Sequence, residues 1–256
     1  MSKPAVPPGT APAYAFGDSE PARERLAIVA ETFEPPTRQL LADLPPRPAR
    51  YVIDLGCGPG HTTALLHAHY PHAQITGLDA SAAMVDEARA RVPAASFAVA
   101  DVTRPLRLPA DVVYARLLLG HLPDPAIALA HWAAAIRPPG LLVCEEPVRY
   151  RSDDPLFVRY ETAVTSVVAA RGATLWAGPV LDTDPPACER VLDRVVKHKV
   201  RKGRAAAMFG RNAVTWGSEV ADATEMIEQL RALEAADPDE QVVWELRQTA
   251  WVKRAV

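Results

Sequence analysis

Tyr51-Val52-Ile53-Asp54-Leu55-Gly56-Cys57-Gly58-Pro59-Gly60-His61 reads as a short buried strand that runs into a glycine-rich turn. Val52, Ile53 and Leu55 give the near-continuous apolar run of a parallel strand covered on both faces. Gly56 and Gly58 allow a positive φ and leave no Cβ between the backbone and a ligand. Gly60 opens a helix predicted over 62–69, where Ala64, Leu65 and Ala68 fall at helical spacing. Asp54 is out of character, because a carboxylate near the end of an apolar strand destabilises the fold unless something pairs with it. These positions describe a strand end at which a small, partly polar ligand meets bare backbone.

Two classes of ligand use such a turn, and the third glycine separates them. A dinucleotide fold requires G-x-G-x-x-G, so that a helix N-terminus receives a pyrophosphate. Here His61 holds the last position of that pattern, and the glycine comes one residue early, at Gly60. The downstream context then decides. Gln74-Ile75-Thr76-Gly77-Leu78-Asp79 predicts a second strand ending in an acid, about 20 residues past the turn. Ionised oxygens at Asp79 can accept both hydroxyls of a ribose. Ser81 caps the next predicted helix, 82–91. A third strand, predicted over 96–100, ends at Asp101-Val102 and brings another acid to the same sheet edge.

On these residues the chain resembles the class I S-adenosylmethionine-dependent methyltransferases, in particular the bacterial enzymes that act on small molecules. The family's E/D-x-G-x-G-x-G turn is matched by Asp54, Gly56, Gly58 and Gly60, and the stretches 111–116, 121–125 and 136–143 match as well. The resemblance covers residues 50 to 146. It departs at Pro138-Pro139-Gly140, where the family has Pro-Gly-Gly; proline fixes φ near −65°, so a positive-φ turn there must fall on Gly140. What the resemblance implies is a Rossmann-like α/β sandwich: a seven-stranded sheet with its last strand antiparallel, helices on both faces and a helical lid. It implies S-adenosyl-L-methionine as the cofactor, with Asp54, Gly56, Cys57, Gly58 and Gly60 at the turn and Asp79 and Ala80 at the ribose. Met84 follows in the next helix, Asp101 and the Val102 backbone meet the adenine amino group, and Arg116 lines the cleft through its backbone. Tyr14-Ala15-Phe16-Gly17 is similar to an aromatic-x-hydrophobic-Gly segment that folds over the cofactor in some members, which adds Tyr14 to the contacts. Asp54 either faces the methionine amino group or accepts hydrogen bonds from amides of the turn, and both can hold at once.

Composition agrees with one domain: 256 residues, 49% hydrophobic, can bury a single large core. The net charge of −3 and the lack of a long basic run predict no nucleic-acid partner. The densest positive stretch, 194–204, holds six Lys or Arg among eleven residues. It alternates with Val195, Val196 and Val200, which predicts a strand with one wet face. Cys57, Cys144 and Cys188 show neither disulfide nor zinc spacing, so no metal is expected. No apolar run reaches the ~18 residues of a membrane span, and no signal-peptide core follows Met1. A cytoplasmic monomer or homodimer, with no membrane partner, is the expectation.

The predicted map has a Pro-rich flexible arm at 1–18 and a single methyltransferase domain at 19–256. Within the domain, 19–49 forms lid helices with a break at Pro35-Pro36, and 50–146 is the cofactor-binding core. Residues 147–240 supply substrate-side segments: a helix over 155–171, a loop rich in Pro and Asp, a sixth strand at 191–201, and helices at 204–214 and 219–236. The last strand occupies 241–254, where Val242, Trp244 and Leu246 alternate with Glu245 and Arg247.

Ligands of open α/β sheets sit beyond the C-terminal strand ends. The segments able to cover that edge carry Phe33, Phe157, Tyr160, Trp176, Phe209 and Trp216, and such a lid fits a small apolar or aromatic acceptor, as in specialised metabolism. The reaction is an in-line displacement at an activated methyl, for which the chain supplies alignment and a base. His121 has the pKa class of a base, with a structural or gating role as the alternative. Glu145 is the second candidate, with Glu146 beside it. They alternate faces, so only one can point into the pocket, and either can instead pair with Arg149 or Arg151. Two other functions remain open: a non-catalytic S-adenosylmethionine or S-adenosylhomocysteine-binding protein, and a nicotinamide-dependent oxidoreductase, which His61 and the final strand disfavour.

Overall fold

In the computed structural model, which describes residues 19–255, the opening stretch is β1 (Tyr51–Leu55), an interior strand of a seven-stranded sheet. Tyr14 and the predicted arm at 1–18 lie outside the described residues. The chain enters through α1 (Glu20–Asp43) and then alternates β1, α2 (His61–His69), β2 (Gln74–Asp79), α3 (Ala82–Arg91), β3 (Ser96–Val99), β4 (Ala110–Arg116), α4 (Pro125–Ala134) and β5 (Ile136–Arg151). It continues with α5 (Pro155–Ala170), β6 (Cys188–Arg201), α6 (Lys202–Trp216), α7 (Ala223–Ala236) and β7 (Gln241–Lys253). The sheet order is β3-β2-β1-β4-β5-β7-β6. β1 to β5 pair in parallel, whereas β7 is antiparallel to both β5 and β6, as expected of the last strand. The order reverses between β1 and β4, and the loops leaving those two strands part there to open a crevice.

Strand alternation divides the core. Val52, Val112, Tyr114, Leu141 and Val143 meet Leu40 and Leu41 of α1 and Leu65 and Leu66 of α2. Ile53, Leu55, Val113, Ala115 and Leu142 meet Leu129 and Trp132 of α4 on the other face. A third cluster stands past the C-terminal end of β4. There β5 runs on to Arg151, paired with the first half of β7, and its Tyr150 packs with Phe33 of α1, Phe157 of α5, Phe209 of α6 and Trp244 of β7. The rings of Tyr160 and Phe209 stack at 4.1 Å.

Two local expectations change. α1 does not break at Pro35-Pro36 but runs through both prolines. Each interior proline costs roughly 3 kcal/mol. Buried side chains on both sides of the pair (Val29, Phe33, Leu40, Leu41), at roughly 1.5–3 kcal/mol apiece, offset that cost. The Thr32 carbonyl that Pro36 leaves without a helical donor lies 2.8 Å from His198 Nε2. Gly140 does not adopt a positive φ. It is required by closeness, since a Cβ there would sit 2.7 Å from the Arg137 carbonyl and nearer still to that of Asp111. The basic stretch forms the expected wet-faced edge strand β6 up to Arg201, with Val195 outward and Val196 and Val200 inward, before entering α6, and its arginines are engaged. Arg194 binds Asp43 at 2.6 Å, Arg201 binds Asp237 and Asp239, and Arg204 binds Glu31 at 2.7 Å. Among the described residues no group of side chains suits a metal ion, and no helix is long and apolar enough to cross a membrane.

Candidate functional site

The turn after β1 folds as its glycines require, with φ of 62° at Gly56, 51° at Gly58 and 87° at Gly60. Two of these have different reasons. A Cβ on Gly58 would meet nothing within 4 Å, because that side of the residue faces a cavity of about 420 Å³. A Cβ on Gly60 would sit 3.0 Å from the Ala88 Cα, so Gly60 lets α3 pack against the start of α2. Gly60 does not line the cavity, contrary to its reading as a ligand contact.

Asp54 does not line it either. It shares its face of β1 with Val52, so its carboxylate points toward α2 and accepts the Thr63 hydroxyl at 2.6 Å. Burial pushes it up to about 7, with the Thr63 bond and the nearby Arg116 opposing. The turn amide goes to Asp79 instead: Gly58 N donates to Asp79 Oδ2 and Ser81 N to Asp79 Oδ1, both at 2.9 Å. A carboxylate has about four lone-pair sites, so Asp79 keeps acceptors for a ligand. Asp101 opens the next loop. Burial raises it, but bonds from the Thr103 hydroxyl and amide, with Arg104 at 3.5 Å, outweigh that and hold it below the usual carboxylate range. The loop is pinned from α4, where Trp132 Nε1 donates to the Val102 carbonyl at 2.8 Å.

The cavity thus brings together Gly56, Cys57, Gly58, Asp79, Ala80, Met84, Asp101, Val102, Arg116 and His121. Arg116 contributes more than backbone: its guanidinium donates to Thr37 of α1 at 3.1 Å. His121 ends a short turn after β4, and burial, with Arg25 nearby, lowers it to about 4, so it is neutral at pH 7. His61 also walls the cavity, and burial lowers it to about 4.

The two glutamates of β5 separate as alternation demands, with the roles exchanged. Glu145, the one expected in the pocket, points to the α1 face, where it accepts from Thr37 at 2.6 Å and Gln248 at 2.7 Å and lies 3.3 Å from the Tyr114 hydroxyl. Glu146 faces a second cavity of about 90 Å³, and its Oε1 accepts the amides of Leu118 and Leu119, each at 2.8 Å. Arg149 and Arg151 pair with Glu245 at 2.7 and 2.9 Å, not with either of these. The two cavities share Arg25, Val29, Leu117 and His121. Sequence reasoning missed the α1 wall of Arg25, Leu26, Val29 and Ala30. The one available signal was Arg25 falling on the same stripe as Val29 and Phe33, an i, i+4, i+8 spacing that turns it inward.

Comparisons with known proteins agree with this geometry. The profile of the family described as "Methyltransferase domain" matches residues 24–183, more than half of the chain. Trans-aconitate 2-methyltransferase of Methylobacterium radiotolerans is 40% identical over 145 residues, 56% of this chain and 55% of that protein. The chain therefore spans about half the length of the curated relatives it matches. Among solved structures, a methyltransferase fold from Bacillus halodurans superposes with a TM-score of 0.61 at 14% identity, covering 85% of this chain and 98% of that one. Coclaurine N-methyltransferase, bound to N-methylheliamine and SAH, superposes with a TM-score of 0.53 at 14% identity, covering 94% of this chain and 77% of that one. By its profile match and its sheet, the chain belongs to the methyltransferase domain family, in its class I, S-adenosylmethionine-dependent form.

Proposed function

We propose that this protein transfers a methyl group from S-adenosylmethionine to a small apolar or aromatic acceptor. The observation that carries the reading is one cavity of about 420 Å³ walled jointly by the glycine turn, Asp79 and Asp101. The chemistry fits the ligand. The open side of Gly58 leaves room for its amino-acid end, the remaining lone pairs of Asp79 suit ribose hydroxyls, and Asp101 with Val102 suits an adenine amino group. His61 stands where a pyrophosphate would need glycine, and this ligand has no pyrophosphate to seat. When bound, it supplies a methyl already activated by a positive sulfur. The chain's own part is to align the acceptor at the junction of the cavities, exclude water through the α1, α5 and α6 side chains that act as a lid, and remove a proton where the acceptor has one.

The curated relatives are named for trans-aconitate, a tricarboxylate. The second cavity supports a different acceptor: among the described residues Arg25 is the one cationic side chain in its wall, which also holds the carboxyl of Glu146 and six aromatic side chains. Calorimetric titration with S-adenosylhomocysteine tests the reading. Micromolar or tighter binding is expected, and Asp79→Ala, which also strands the Gly58 and Ser81 amides, weakens it about 10- to 200-fold, the equivalent of 1.5–3 kcal/mol. Thermal stabilisation by NAD or NADP alone, with none by S-adenosylhomocysteine, overturns it.

A further inference from the structure

We infer that the second cavity binds a single-ring phenol carrying a second polar group, and that Glu146 takes the phenolic proton. The inference rests on the methyl-transfer reading and names the acceptor for that same site.

The wall of the cavity is largely aromatic, with Phe33, Tyr150, Tyr160, Trp176, Phe209 and Trp244 in it, and its volume of about 90 Å³ leaves no room for more than one ring. Its wall holds two polar atoms left unspent among the described residues. Asn212 is 4% exposed, its Nδ2 donates to the Tyr160 hydroxyl at 2.6 Å, and its Oδ1 has no partner. Turning the amide over leaves one end of it unspent in either orientation. Trp244 Nε1, on the same wall, is buried without a partner as well. An unmet buried polar group costs about 1–3 kcal/mol, so a ligand hydroxyl that accepts from Trp244 and donates to Asn212 binds where a methyl group would not.

Toward the larger cavity, Glu146 is fixed through Oε1 by the amides of Leu118 and Leu119, and Leu118 walls that cavity. A nucleophile held by Glu146 therefore lies where the two cavities meet. Arg25, which walls both, decides between nitrogen and oxygen. An amine becomes cationic as it is methylated, which a neighbouring guanidinium opposes. A phenol develops negative charge on its oxygen, which the guanidinium favours. The phenolic O–H bond breaks toward Glu146, and the oxygen's electron pair forms the new O–C bond to the methyl. The old C–S pair stays on sulfur as a neutral thioether. Burial pushes Glu146 up to about 8, with its two amide bonds opposing, which brings it within reach of a phenol's own titration. The titratable and charged groups around it are Cys144 on its own face of β5, His121 after β4, Arg25 on α1, Tyr150 at the end of β5 and Tyr160 on α5, with Glu145 acting on it from the opposite face of the strand.

The test titrates 4-hydroxybenzyl alcohol, 4-cresol, benzylamine and trans-aconitate into the protein saturated with S-adenosylhomocysteine. The alcohol is expected to bind best, about tenfold over 4-cresol, and Asn212→Leu to erase that preference while leaving S-adenosylhomocysteine affinity intact. Glu146→Gln keeps an oxygen for the two amides. It is expected to bind the alcohol within a few-fold of the parent, lower kcat for its methylation at least 100-fold, and abolish the rise of rate with pH toward 8. Benzylamine or trans-aconitate binding better than the phenols, or a Gln variant with the parent's rate and pH profile, overturns the inference and leaves the methyl-transfer reading standing. Failure of S-adenosylhomocysteine itself to bind overturns that reading, and the inference with it.

Discussion

Asp54 and Asp79 stand at the C-terminal ends of neighbouring strands of one sheet, and their surroundings send one carboxylate behind the glycine turn and the other to the cavity side of it. Asp54, held by Thr63 and pushed up to about 7 by burial, titrates near 3.9 once the chain unfolds. Between those values the folded state keeps a proton that the unfolded chain has released. Stability is therefore lost as pH rises from about 4 to about 7, by at most roughly 4 kcal/mol at 1.36 kcal/mol per unit. Asp54→Asn keeps an oxygen for the Thr63 hydroxyl and cannot ionise. Its melting temperature at pH 8 is expected to exceed that of the parent, with the gap closing at pH 4; identical pH slopes in the two proteins would refute the assignment. The turn, Asp79 and Asp101 were legible because each ends a strand pattern at one edge of the sheet. The direction of Asp54 was legible too, from its parity with Val52, but reading the glycine motif as a block hid it. Arg25 was not, because a lone arginine on a helix has the look of a solvated residue until the opposite wall is known.

At the scale of elements, the junction of α2 and α3 rests on Gly60, whose φ of 87° and 3.0 Å approach to the Ala88 backbone leave no space for a side chain. Gly60→Ala adds the left-handed penalty of about 1–2 kcal/mol to the push against α3. Urea denaturation should show a loss of about 2 kcal/mol or more, and a loss under 0.5 kcal/mol would mean that the two helices pack some other way. α1 and β5 teach the converse lesson about legibility. Pro35-Pro36 reads as a break from local propensity alone, yet the helix continues because the cluster that buries Val29 and Phe33 and the His198 contact come from elements far along the chain. β5 was expected to end at 146, but pairing with β7 carries it on to Arg151 and so builds the wall that holds Tyr150. Both outcomes depend on partners about 100 residues or more away, which no local pattern announces.

The whole molecule joins two halves of different legibility: a sheet edge written in short motifs, and a helical cluster written only in apolar spacing. The larger cavity is walled by both, the turn at residues 56–59 from the sheet and Arg25, Leu26, Val29 and Ala30 from α1. If that shared wall is the ligand site, binding must couple them, because a ligand held by both halves opposes the opening of either. Hydrogen exchange with and without saturating S-adenosylhomocysteine checks this. Added protection is expected in the turn and, at the same ligand concentrations, across residues 25–33 of α1. The outer face of β6, whose Val195 stands 51% exposed on an edge strand, should not change. Protection confined to the turn would detach α1 from the site. It would also remove Arg25 from the junction of the two cavities, and with it the electrostatic reason for preferring an oxygen acceptor.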